Sequence, residues 1–247
     1  LIISSRCFNR KGFKMKNLRL IDVEKLTRLS YRKRSQEMYD YLRTLEGVEH
    51  VKVIEIDKHD RMLYFVQNYI LYVIIPGSDD LPDWIENFEV IPDPSLFYGF
   101  RGYALPAEKM ADIIESDKDL SFSRIVVAGH SRGGAIAQNL FRQIKYLASY
   151  VYGWSFGNPG GGGRKFAENM GNCKFTNFDI KGDVVTKLNP LKVDIGRTVN
   201  LPRQISGFFN RIRRMFKGEL NHRSYECIGK ISPWMHMDAL GNIEYEK

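Results

Sequence analysis

The sequence predicts an α/β fold, a mostly parallel central sheet flanked by helices, on three observations. Between residues 69 and 180, β-rich runs alternate with stretches of helical periodicity, and that alternation implies right-handed crossovers and parallel strands. Tyr69–Ile75 is a continuous apolar run ending at Pro76-Gly77, the pattern of a strand buried on both faces. The 247 residues are 43% hydrophobic and 27% charged, enough for a sizeable core and against a mostly disordered chain.

The elements follow in order. Residues 1–20 read as a basic N-terminal extension and 21–247 as a single domain. Asp22 to Leu45 reads as one helix, with Val23, Leu26, Leu29 and Tyr31 opening an apolar face and Met38, Tyr41, Leu42 and Leu45 continuing it. Arg32-Lys33-Arg34 is expected to be a solvated face of that helix. Val51–Ile56 and Arg61–Gln67 read as opening antiparallel strands. Helices are expected at Leu105–Ser116, Ala135–Leu147 and Lys165–Met170, and further strands at Arg124–Ala128, Tyr150–Phe156 and Lys174–Ile180. Gly129–Gly134 reads as a tight turn. Gly160–Gly163 reads as a mobile loop, since a phosphate cradle would need a following Lys-Ser/Thr.

Composition narrows the function classes. Thirty-seven Lys and Arg against 29 Asp and Glu give a net charge of +8, which favours anionic surfaces or simply serves solubility. No recognised nucleic-acid module accompanies it, so no nucleic acid is expected. Cys7, Cys173 and Cys227 are too few and too far apart for a disulfide framework or a zinc-ligand pair, and they suit a reducing compartment. No run approaches the ~20 apolar residues that span a bilayer. Leu1-Ile2-Ile3 is too short for a signal-peptide core. The expectation is a cytoplasmic or peripheral membrane protein.

The chemistry centres on Ile125-Val126-Val127-Ala128-Gly129-His130-Ser131-Arg132-Gly133-Gly134-Ala135. A buried strand runs into Gly-x-Ser-x-Gly and then into a helix. A nucleophilic serine needs a sharp, strained turn that projects its hydroxyl above the sheet, with glycines where strand and helix backbones meet. Ser131 is therefore the candidate nucleophile of an α/β-hydrolase fold. The helix start behind it offers a favourable dipole and the Arg132 N–H.

A serine nucleophile needs a base and an acid, and in this fold the chain order is Ser, acid, His. That order removes His50 and His59, and His130 beside Ser131 reads as a packing residue. His222, in a polar loop stretch, is preferred as base over His236, which sits between two Met residues. Asp183 follows the strand ending at Ile180 and is preferred as acid over Asp179 and Asp194. The second oxyanion donor is expected from the loop after an earlier strand. Ser78, with an N–H and a hydroxyl, fits beside the Arg132 N–H.

These pieces together resemble the class 3 lipase family of α/β hydrolases. The resemblance rests on Pro76-Gly77-Ser78, Asp83-Trp84 with Asn87-Phe88, Gly99-Phe100, Gly129–Ala135, Phe156-Gly157-Asn158-Pro159, Asn177, Asp183-Val184-Val185 and His222, in the family's order from about Tyr69 to Tyr225. It implies a serine hydrolase of carboxylic esters, of lipids above all, acting through an acyl-enzyme on Ser131, Asp183 and His222, with no metal or organic cofactor. The chain departs from the family in four places. Arg132 stands where Leu is usual, so its charge is expected to change the pocket. Pro76 replaces the usual Arg, Phe97 stands where a His often precedes the Gly-Phe, and the stretch usually forming a lid, Val90–Leu96, is short.

Ile205, Phe208, Phe209, Ile212 and Phe216 recur at helical spacing, with Arg211, Arg213, Arg214 and Lys217 largely on the other side. Such a helix either lies on an anionic membrane or packs its stripe on the core. Two other readings stay open: acyl transfer or thioester cleavage on the same triad, and a non-catalytic binding protein that keeps the fold.

Overall fold

The computed structural model describes residues 17–78, 90–183, 185–202 and 240. Seven strands lie side by side in the order β1 (Val48–Glu55), β2 (Arg61–Gln67), β3 (Ile70–Ile75), β6 (Arg124–His130), β7 (Tyr150–Phe156), β8 (Phe175–Ile180) and β9 (Arg197–Leu201). The first three form an antiparallel meander, and every pairing from β3 onward is parallel. A small antiparallel pair, β4 (Pro92–Asp93) and β5 (Gly99–Phe100), stands apart. The helices are α1 (Leu20–Leu29), α2 (Ser35–Arg43), α3 (Arg101–Ser116), α4 (Arg132–Ile144) and α5 (Arg164–Met170).

Every residue of β2 and β3 is buried, because helices cover both faces of the sheet. Alternation divides β3 between them. Leu71, Val73 and Ile75 pack with Tyr103, Ala107 and Met110 of α3 and with Ala135, Ile136 and Leu140 of α4. Ile70, Tyr72 and Ile74 pack with Leu20, Val23 and Leu26 of α1 and with Met38 and Leu42 of α2. The parallel strands all point the same way, so the chain leaves β3, β6, β7 and β8 at one edge of the sheet, where α/β ligand sites form.

Several expectations are corrected. The helix expected over Asp22–Leu45 is broken: α1 ends at Leu29, Tyr31 is extended, and Arg32–Arg34 forms a single 3₁₀ turn before α2. Long-range contacts override helical propensity here. Tyr31 reaches His130, and Arg32, though partly exposed, bonds Glu55 and the carbonyl oxygens of Asp57 and Lys58, while Lys33 and Arg34 face solvent as expected. Tyr69 lies in a two-residue hairpin turn with Asn68, both at positive φ (59° and 54°), which matches the twist of the flanking strands.

Gly160–Gly163 is not a mobile loop. Gly160, Gly161 and Gly162 are buried, and the Gly161 carbonyl accepts from Asn139 and from the Phe100 N–H. The stretch Val90–Leu96 contains β4 and a 3₁₀ turn, tied down by the Arg101 N–H to the Ile91 carbonyl at 2.9 Å. Among the described residues, no helix is long and apolar enough to cross a membrane.

Candidate active site

The tight turn of the sequence shrinks to one residue. Strand β6 runs to His130 and α4 starts at Arg132, so Ser131 alone makes the corner, at φ 56° and ψ −129°. A non-glycine residue at positive φ stores backbone strain, held here by the packed elements on both sides. The Ser131 N–H is fixed to the Phe156 carbonyl at 2.9 Å, and its own carbonyl accepts from Gly134 at 2.9 Å. The approach of strand to helix admits no side chain: a Cβ at Gly129 would lie 2.1 Å from the Gly133 carbonyl oxygen. Ser131 is 3% exposed, beneath the edge where β3, β6, β7 and β8 end.

The loop after β3 touches this corner. A Cβ at Gly77 would come within 2.8 Å of the Ser131 Cβ, so residues 76–78 lie directly beside the serine. The Ser78 hydroxyl is buried and has no partner among the described residues. The Arg132 N–H occupies the first position of α4, where a helix leaves donors without intrahelical acceptors. The structure thus places the loop that carries Ser78 and the first turn of α4 beside Ser131.

Arg132 itself differs from expectation. Its guanidinium makes a fork with Asp60, Nε to Oδ1 at 2.8 Å and Nη2 to Oδ2 at 2.7 Å, and Nη2 also donates to the Gly102 carbonyl at 2.9 Å. The group lies over the Tyr103 ring, 5.4 Å from its centroid. Burial works against the charge on Arg132, but the hydrogen bonds and attraction of Asp60 outweigh it and raise its pKa. The charge is therefore compensated locally. Asp60 escaped sequence reasoning, although a charged residue at the start of a buried helix signals that a counter-ion is needed somewhere.

His130 packs as expected, with one addition: the Tyr31 hydroxyl hydrogen-bonds its Nδ1 at 2.7 Å. Asp183 is fully buried just beyond β8, two strands from β6. Its Oδ1 accepts from the Val185 N–H at 3.0 Å, and its N–H is held by the Ile180 carbonyl. The rival carboxylates Asp179 and Asp194 are engaged elsewhere, both close to the Lys192 ammonium. His222, His236, Asp83, Trp84, Asn87, Val184 and the stretch Ile205–Lys217 lie outside the described residues.

A buried amide network, also missed in the sequence, fixes the segment after β7. Asn177 Oδ1 accepts from Gln138 at 2.9 Å and from Ser155 at 2.7 Å, while Asn158 donates to Ser155 at 2.6 Å. Gln138 Oε1 accepts from the Gly161 N–H and Asn158 Oδ1 from the Gly160 N–H. These residues were visible only as family marks at Asn158 and Asn177; Gln138 and Ser155 carry no local signal.

Comparison with known proteins agrees with this architecture. The profile of the family Lipase (class 3) matches residues 72–193. Among solved structures, the Rhizomucor miehei lipase in complex with its propeptide superposes with a TM-score of 0.59 at 17% identity, covering 79% of this chain and 71% of that one. Lip2 lipase from Yarrowia lipolytica gives 0.54 at 15% identity, covering 76% and 81%. A triacylglycerol lipase from Penicillium expansum gives 0.53 at 15% identity, covering 75% and 79%. A search of curated protein sequences finds no match. Residues 72–193 thus match the class 3 lipase family, and the chain has the α/β-hydrolase fold.

Proposed function

We propose that the protein hydrolyses lipid esters through an acyl-enzyme on Ser131. His222 takes the hydroxyl proton as Ser131 attacks the ester carbonyl, then delivers it to the departing alcohol. Asp183 orients the imidazole and stabilises its charged form. The N–H groups of Ser78 and Arg132, with the Ser78 hydroxyl, hold the oxyanion. Water, activated by the same His222, then releases the acid. The observation that carries this reading is the strained corner at Ser131, at φ 56°, in contact with the 76–78 loop. A preformed donor there is worth about 3 kcal/mol of barrier. Asp183, held rigidly at the same sheet edge, supports the choice of acid.

The test is labelling by a fluorophosphonate, together with hydrolysis of a short p-nitrophenyl ester. Wild type should do both and folded Ser131→Ala neither. His222→Ala should lose activity and His236→Ala keep most of it. Equal rates in wild type and Ser131→Ala would overturn the nucleophile, and the reverse pattern in the histidines would overturn the base. Labelling by phosphonate with acyl transfer to an alcohol outpacing hydrolysis would favour the transferase reading. We further propose that the basic, aromatic stretch Ile205–Lys217 docks on anionic lipid. Co-sedimentation with anionic vesicles, lost when Arg211, Arg213 and Arg214 become Ser, would support docking. Indifference of both proteins to vesicles would defeat it.

A further inference from the structure

We infer that Asp60 is a positioning residue for ester hydrolysis, setting the oxyanion site through Arg132; this rests on the reading of Ser131, Ser78 and Arg132 given above. Asp60 ends the hairpin turn between β1 and β2, and it is built to stay put. Its N–H donates to Asp57 Oδ1 at 2.8 Å and its carbonyl accepts from the Ile56 N–H at 2.9 Å. Arg32 braces the same turn by donating to the Asp57 and Lys58 carbonyls at 3.0 and 2.8 Å. Asp60 is 4% exposed. Register places this turn beside the active corner: Leu63 pairs with Ile74, so the chain before Arg61 runs alongside the residues that follow β3.

One guanidinium therefore joins three segments: the hairpin turn through Asp60, the start of α3 through the Gly102 carbonyl, and the start of α4 through its own backbone. The loop bearing Ser78 is caught between the first and the third. On the α4 side the contact is tight, since a Cβ at Gly133 would lie 2.2 Å from the Pro76 carbonyl oxygen. The two oxyanion donors sit one on each side of that contact, on Ser78 and on Arg132. Their separation is fixed by how firmly α4 is drawn toward the hairpin. A two-pronged ionic bond is suited to this because it fixes direction as well as distance.

An oxyanion exists only in the transition state, so a change in donor spacing lowers kcat and leaves KM. Displacement of a group by about 1 Å can cost on the order of 100-fold in rate. Asp60→Asn keeps the shape but loses the charge that holds both prongs. We expect its kcat on a short p-nitrophenyl ester, per site titrated with fluorophosphonate, to fall about 10- to 100-fold with KM within about twofold. Asp60→Glu, which restores the carboxylate, should lie between Asn and wild type. Should Asp60→Asn fail to fold, Asp60→Glu decides: kcat below wild type at equal KM supports the inference, and wild-type kcat overturns it. Lower thermal stability with unchanged kcat per titrated site, or a raised KM alone, also overturns it. Failure of the underlying reading is distinguishable, because then Ser131→Ala would match wild type.

Discussion

Two ionic clusters, one buried and one partly buried, lie near the edge where the parallel strands end, and they are built on opposite plans. Arg132 and Asp60 are matched one to one: the planar fork meets both carboxylate oxygens, and the remaining donor goes to Gly102. Lys192 faces two carboxylates, Asp194 at 3.0 Å and Asp179 at 3.4 Å, and also the Asn158 carbonyl at 3.2 Å. One point charge cannot satisfy both. Burial raises the Asp179 carboxyl, the nearby Asp194 and Asp183 add to that, and Lys192 only partly offsets it, so its pKa is pushed up to about 6. A matched pair fixes geometry, whereas an excess of carboxylates leaves one of them poised to titrate.

The largest effect should follow from removing the shared cation. Lys192→Met keeps most of the side chain's length but leaves two partly buried carboxylates, Asp179 and Asp194, without their counter-ion. Breaking a buried pair in this way costs about 3–5 kcal/mol. We expect a loss of that size in urea unfolding at pH 7.5 and a smaller one near pH 4.5, where Asp179 takes up a proton. Equal losses at both values would mean that Lys192 contributes by packing alone.

The same contrast explains what the sequence disclosed. The Ser131 corner is a local event, a strand, one residue and a helix, so five consecutive residues announce it. The position of Asp183 is legible for a similar reason, in the short exit from β8. The partners that make the site rigid are separated along the chain by 72 residues for Arg132 and Asp60, 99 for His130 and Tyr31, and 39 for Gln138 and Asn177. No local pattern encodes such pairings. They also undid local expectations: the break after Leu29 follows from where Tyr31 and Arg32 must reach, and Gly161 is fixed by the Gln138 and Asn139 amides on α4. Strand β9 gave no warning, because it is a short edge strand that buries only Leu201.

A mid-sized effect should come from Asp179. Its pKa is raised from the ordinary 3.8 to about 6, so between those values the folded protein holds a proton that the unfolded chain has lost. Stability contributed by this group is therefore present at low pH and falls as pH rises through that window. Asp179→Asn cannot ionise. The stability of this variant relative to wild type should grow by about 3 kcal/mol between pH 3.5 and pH 7.5, at about 1.36 kcal/mol per pH unit. Denaturant midpoints of both proteins across that range measure it. A constant difference would mean that Asp179 titrates at its ordinary value and that Lys192 satisfies both acids after all.

The smallest effect should come from giving the matched site the cation of the mismatched one. Arg132→Lys keeps the charge next to Asp60, so no buried carboxylate is left alone. What it loses is the fork. An ammonium cannot place two parallel donors on Oδ1 and Oδ2 while also reaching the Gly102 carbonyl, and it lacks the flat face that lies over Tyr103. A hydrogen bond to a charged group is worth about 1.5–3 kcal/mol, and part of it survives because the ammonium still bonds one oxygen. We therefore expect a loss of about 1–2 kcal/mol in urea unfolding, with an unchanged m-value, well below that for Lys192→Met. Added salt should leave the difference largely intact, since both Arg132 and Asp60 are shielded from solvent. A loss as large as that of Arg132→Leu would mean that the ammonium makes no bond to Asp60. No loss at all would mean that charge alone, without direction, is sufficient, and the contrast between the two clusters would then reduce to the number of carboxylates in each.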